Sequence, residues 1–203
     1  MEKLDFKRKF KFYYRASAQP TLVTLDDLAH ITLEGQGEPG GKLFSQRTQM
    51  LISVAYAIKK LYKLNKNDFA VPPLEAMWWV DGNIPVENVP RSKWNWKLMI
   101  RMPEPVPQSK LQLALNEVHV KKKIAKEELK GIRLQQWSQG SAVQVMHIGS
   151  YSSEEPAINS IFLYAKENGL VCHGPHHEIY LSDPRKTPPE KLKTIIRYSV
   201  KKK

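Results

Sequence analysis

The sequence holds 203 residues, with 32 Lys and Arg against 20 Asp and Glu, a formal net charge of +12. Its 41% hydrophobic and 26% charged content is that of a globular chain and excludes a mostly disordered or collagen-like one. No apolar run approaches the ~20 residues that cross a bilayer, the first residues lack the apolar stretch of a secretory signal, and the single Cys172 cannot form an internal disulfide, so a reducing, cytoplasmic setting is expected.

The predicted elements repeat one order twice. Ala29-His-Ile-Thr-Leu-Glu alternates polar and apolar residues as a strand does, and Gly35, Gly37, Gly40 and Gly41 are expected to break it. A long helix is predicted from about Leu43 to Tyr62, with Met50, Leu51, Val54, Ile58 and Leu61 on one face. Asn65 and Asn67 end it. Two strands follow, Leu74 to Val80 and Lys93 to Met102, around the turn-rich Asp81-Gly-Asn-Ile-Pro. A connector from about Gln108 to Lys130 reads as one helix with Leu111, Leu115 and Val118 in a stripe.

The second half opens with the strand Ala142 to Ile148, stopped by Gly149. Ser152, Ser153, Glu154, Glu155 and Pro156 form a helix start, with hydroxyl caps and acids near the positive end of the helix dipole. That helix carries Ile158, Ile161, Phe162 and Ala165 and stops at Asn168-Gly169. Two strands, His176 to Ser182 and Lys193 to Val200, complete the half. The pattern predicts an α+β fold of two duplicated β-α-β-β modules related by a pseudo-twofold axis, with antiparallel sheets, helices on one side and a ligand groove between modules. Module one spans about 28–104 and module two about 131–203. Only ~28 residues precede the first predicted strand, too few for a DNA-binding domain.

The excess positive charge belongs to the two ends of the chain and one connecting segment. Residues 1–17 hold six Lys and Arg against two acids, residues 109–133 seven against three, and residues 184–203 eight against one. The lysine runs lack interleaved aromatic residues that stack bases, so no specific nucleic-acid partner is expected. They would still give salt-sensitive binding to any polyanion.

Candidate site residues come from strand faces. Trp94, Trp96, Leu98 and Ile100 share one face, and Asn95, Lys97, Met99 and Arg101 the other, whereas Trp78 and Trp79 must diverge. These indoles suit either a packed core or a wall for a flat or cationic aromatic guest. Glu178, Tyr180 and Ser182 share a face opposite Ile179 and Leu181. If the aliphatic pair faces the helix, Glu178 looks into the cleft, as a counter-ion or general base; otherwise its face is simply solvated. His176 and His177 are adjacent and diverge, which makes a poor metal pair, and His147 and His173 have no ligand-spaced partner. Cys172 reads as buried and inert. No metal and no cofactor are expected.

The run His176-His-Glu-Ile-Tyr-Leu-Ser-Asp-Pro-Arg-Lys, followed by Pro189-Glu-Lys-Leu-Lys-Thr-Ile-Ile-Arg, resembles the C-terminal signature of stand-alone GyrI-like small-molecule-binding proteins. Leu74-Glu-Ala-Met-Trp-Trp, Trp94-Asn-Trp-Lys-Leu-Met-Ile-Arg-Met-Pro and Val143-Gln-Val-Met-His-Ile-Gly-Ser-Tyr match in the same order, so the resemblance covers nearly the whole chain. It implies a duplicated fold that binds bulky, apolar, often cationic compounds. Some members hydrolyse the activated cyclopropane of DNA-alkylating natural products. By resemblance, Glu178 is the pocket carboxylate, Tyr180 and Tyr151 are pocket tyrosines, and Trp78, Trp79, Trp94, Trp96 and Trp137 form the aromatic wall. Ser150 departs from the proline usual before that tyrosine and is expected to loosen the loop. The function implied is sequestration or detoxification of a hydrophobic or cationic aromatic ligand, with Glu178 and Tyr180 catalytic if the protein is a cyclopropane hydrolase. The alternative is a basic protein associated with DNA or gyrase that protects without catalysis.

Overall fold

A computed structural model describes residues 3–82, 86–103 and 106–203. In chain order the elements are α1 (Phe6–Lys9), α2 (Lys11–Tyr14), β1 (Thr21–Leu25), β2 (Leu28–Gln36), α3 (Lys42–Leu64), β3 (Glu75–Trp79), β4 (Asn95–Arg101), α4 (Gln108–Lys122), α5 (Lys126–Leu129), β5 (Arg133–Trp137), β6 (Gly140–Ile148), α6 (Glu155–Glu167), β7 (Leu170–Tyr180) and β8 (Lys193–Lys202). The fold is α+β with antiparallel strands, and the order β-α-β-β occurs twice, as β2-α3-β3-β4 and β6-α6-β7-β8. The Asn83-Ile-Pro part of the predicted turn lies outside the described residues.

The chain divides into two compact units. Unit one comprises residues 1–9, 28–74 and 78–137. In it β2 pairs antiparallel with β4, Leu33 opposite Leu98, and with β5, Ile31 opposite Leu134. The buried face of α3 (Met50, Leu51, Val54, Ala55, Ile58 and Tyr62) repeats at three- and four-residue intervals, as an amphipathic helix requires. Burying each of its Met, Leu, Val and Ile side chains contributes ~1.5–3 kcal/mol before entropy is counted.

Three expectations change in unit one. The predicted connector is not one helix: α4 ends where Lys123 adopts the left-handed conformation, φ 56°, and the short α5 follows. The strand β5 was hidden by its polar Gln135-Gln sequence. Gly35 does not break β2 but lies within it, opposite Trp96. A Cβ there would sit 2.2 Å from the Trp96 ring, so only glycine lets the indole lie on the strand.

Unit two comprises residues 10–27, 75–77 and 138–203. Its strands run in the order β1-β6-β8-β7, with Val143 opposite Leu22, Val145 opposite Ile196 and Glu178 opposite Ile196. The strand β1 was not expected, because Thr21-Leu-Val-Thr-Leu is short and follows a proline. β7 starts at Leu170, six residues before the prediction, with an irregularity between His173 and His177 that interrupts its alternation. Val143, Val145, Ile161, Ala165, Ile196 and Val200 form the core between these strands and α6. Cys172 packs against that core but is partly exposed rather than buried, and desolvation raises its thiol pKa.

Candidate functional site

The functional side chains of unit two are sorted by the pleat of β7. His176, Glu178 and Tyr180 point to one face, His177 and Ile179 to the other. Glu178 stands opposite Ile196, and Ile196 packs with Ile161 of α6. Glu178 therefore lies on the helix side of the sheet, the reverse of the arrangement in which Ile179 and Leu181 would face the helix. Nor is that face solvated: Glu178 is 8% exposed.

At this face, His176 donates from Nε2 to Glu178 Oε1 at 2.8 Å, and its Nδ1 meets the Tyr198 hydroxyl at 2.9 Å. Glu154, the residue before α6, brings Oε2 to 3.7 Å from the same Nε2. The expected serine caps do not form. Ser153 Oγ donates to Ser150 O at 2.8 Å, and Ser150 Oγ meets Ser152 Oγ at 3.0 Å. His147 Nε2 also reaches Ser150 O, at 3.0 Å, so polar contacts brace the loop carrying Tyr151.

Tyr151 and Tyr180 meet edge to face with centroids 5.5 Å apart. Tyr198 lies beside His176 and Phe162, at 5.3 and 5.0 Å. The cluster reaches solvent at Tyr151, which is 41% exposed.

The electrostatics follow from burial. Desolvation pushes Glu154 up to about 7, with His176 opposing the rise and the Glu178 charge adding to it. Burial alone would lower His176, but the carboxylates of Glu154 and Glu178 hold it at about 9. Burial, then the charges of Glu178, Glu154 and Asp183, push Tyr151 up to about 12. Tyr198 is raised by burial and next by Glu178. Both phenols therefore stay neutral donors at physiological pH.

The opposite face of β7 holds a second polar group. His177 Nε2 donates to Glu75 Oε2 at 2.9 Å, and its Nδ1 faces Gln139 Oε1 at 3.1 Å. Tyr13 donates its hydroxyl to the same Glu75 oxygen at 2.6 Å. Arg197 donates to Gln144 Oε1 and to the Tyr13 carbonyl, with its guanidinium 4.5 Å from the Tyr13 ring centre. Burial, and next the Glu75 charge, raises the Tyr13 phenol well above its usual range. All these side chains are buried.

The sequence-predicted residues thus fall into separate groups. Glu178, Tyr180 and Tyr151 come together in unit two. The indoles Trp78, Trp94, Trp96 and Trp137 belong to unit one, as does Trp79. Trp96 is 0% exposed and meets Phe44 edge-on at 5.6 Å, while Trp78 stacks on Phe44 at 5.0 Å. Both are buried in the core of unit one. Trp79, Trp94 and Trp137 are partly exposed, Trp94 donating Nε1 to Val89 O and Trp137 lying 5.8 Å from Lys97 Nζ.

Sequence reasoning missed Glu154, His176 and Tyr198. His176 was legible: two residues before Glu178 on a strand, it must share its face. Glu154 was not, because only the fold brings the start of α6 to that strand face.

The chain matches the family model of the GyrI-like small molecule binding domain over residues 18–201. None of the curated proteins compared matches it. Among solved structures, an uncharacterized conserved protein from Listeria innocua is 32% identical, with a TM-score of 0.90, covering 98% of this chain and 100% of that one. A hydrolase from Listeria innocua is 31% identical with a TM-score of 0.86 over the same shares. The C-terminal domain of EcmrR, 14% identical, shares the fold with a TM-score of 0.55, covering 91% of this chain and 98% of that one. With a matching model along nearly its whole length and relatives above 30% identity end to end, this chain belongs to the GyrI-like small-molecule-binding family.

Proposed function

We propose that the protein binds a flat hydrophobic or cationic aromatic compound at the Glu178 face of unit two and thereby sequesters or detoxifies it. One observation carries this reading: Glu178 is buried beside tyrosines, yet the group opens to solvent at Tyr151. A carboxylate in such a setting is a strong counter-ion for a cation, because little water competes. The faces of Tyr151 and Tyr180 supply area and cation–π attraction. The three residues match the pocket carboxylate and tyrosines of the resembling family.

Catalysis would use the same groups. Water attacks a carbon of a strained cyclopropane conjugated to a carbonyl. The ring C–C bond breaks, and its electron pair moves through the conjugated system to the carbonyl oxygen, which takes up a proton. Glu178 accepts the proton of the attacking water, and the Tyr180 hydroxyl donates a hydrogen bond to the oxygen that gains charge. The hydrolase from Listeria innocua, alike over its full length, supports the enzyme arm.

Incubation with a duocarmycin-type compound, followed by mass spectrometry, tests the chemistry. A product heavier by one water, formed by the native chain and not by Glu178→Gln, is expected. Tight binding with unchanged compound would overturn the hydrolase arm and leave sequestration. Neither binding nor turnover of this compound or of a cationic aromatic dye would overturn the whole reading.

A further inference from the structure

Three potential metal-binding side chains converge at the Glu178 face. One atom each of Glu154, His176 and Glu178 lies within 4.8 Å of the other two. Nitrogen and oxygen ligands around one ion at 2.0–2.2 Å sit about 3.4 Å apart when tetrahedral. The distances from His176 Nε2 to Glu178 Oε1, 2.8 Å, and to Glu154 Oε2, 3.7 Å, bracket that spacing. Small side-chain rotations would therefore open the site around an ion.

A second observation points to a cation. Glu154 is 5% exposed, and its Oε1 is buried with no hydrogen-bond donor among the described residues. Buried carboxylate oxygens are normally satisfied, and an orphan acceptor beside a second carboxylate is costly.

We propose that Glu154, His176 and Glu178 bind one divalent transition-metal ion of the zinc or cobalt class, held by one imidazole nitrogen and two carboxylates with a fourth position open. The ion takes the place of the proton on His176 Nε2, which passes to solvent. Nδ1–H then donates to the Tyr198 hydroxyl, the outer-shell contact that fixes the tautomer and orientation of a ligating histidine. One imidazole with two carboxylates suits zinc, cobalt, manganese or iron better than calcium, which prefers six to eight oxygens. The site stands on its own geometry and does not require the guest-binding reading, although it shares Glu178.

The test is to strip the full chain with chelator and titrate it with Co2+, then Zn2+, in the absence of any guest. One equivalent of Co2+ giving visible ligand-field bands that Zn2+ abolishes is expected. Affinity should fall about tenfold or more in Glu154→Gln and in His176→Gln, and by ~10–100-fold in Tyr198→Phe. His173→Gln, an exposed histidine on the same strand, should change nothing. If Glu154→Gln fails to fold by circular dichroism, His176→Gln and Tyr198→Phe carry the test. Absence of saturable one-equivalent binding, or binding that survives His176→Gln and disappears in His173→Gln, would overturn the site. Guest binding measured in chelator separates this outcome from the function proposed above.

Discussion

Neighbouring residues of one strand, His176 and His177, sit in two different kinds of polar site. On one face of β7, His177 joins Glu75, Tyr13 and Gln139 in a network sealed from water. On the other, His176 joins Glu178, Glu154 and Tyr198, and the group borders solvent at Tyr151. Both contain an imidazole between acceptors, so residue type does not separate them. What differs is the cover. The first face is closed by the segment carrying Tyr13, whose backbone and ring are tied to Arg197; the second has the start of α6 and a loop. A polar group sealed from water holds a fold together, whereas one left at a rim can take a ligand.

Substitutions on the two faces should therefore separate stability from binding. The largest effect belongs to the sealed face: Glu75→Ala removes the shared acceptor of Tyr13 and His177 and is expected to cost about 3–5 kcal/mol, read as a lower denaturant midpoint. A cost below 1 kcal/mol would mean that the network is not structural. The indoles allow a parallel comparison, since Trp96 is as sealed in unit one as Glu75 is in unit two. Gly35→Ala would force a methyl group into the Trp96 ring and should cost about 1–3 kcal/mol without touching ligand affinity.

On the rim the sign of the contrast reverses. Glu178→Gln should weaken a cationic aromatic dye about tenfold or more, equivalent to ~1.4 kcal/mol, while lowering the unfolding midpoint by less than Glu75→Ala does. Fluorescence anisotropy of the dye and chemical denaturation of the same sample check both halves. The smallest effect is at the loop. Ser150 has φ −68° and ψ 152°, which proline adopts readily, so Ser150→Pro should stabilise by ~0.4–1 kcal/mol through the unfolded chain. Loss of stability would show instead that the serine hydroxyl contacts hold the loop.

The contrast also explains what was legible in the sequence. The helices α3 and α6 and the strands β2, β4, β6 and β8 announce themselves by period, because each buries one regular face. β5 has two glutamines at its centre and β1 is short, so neither carries enough pattern. The pairing of Glu178 with Tyr180 follows from alternation alone. Its orientation toward α6 does not: both faces of β7 are covered, and only the register with β8 decides which cover lies where. Glu75 and Tyr13 were invisible as partners for the same reason, being 62 residues apart in sequence.

The central claim is that the ligand lies at the Glu178 face of unit two. A crystal structure of the chain soaked with a cationic aromatic dye tests it most directly. The dye should rest against Tyr151 and Tyr180 with its positive charge within hydrogen-bonding or ion-pair distance of Glu178. Density for the dye on the partly exposed indoles of unit one alone, with the Glu178 face empty, would contradict it.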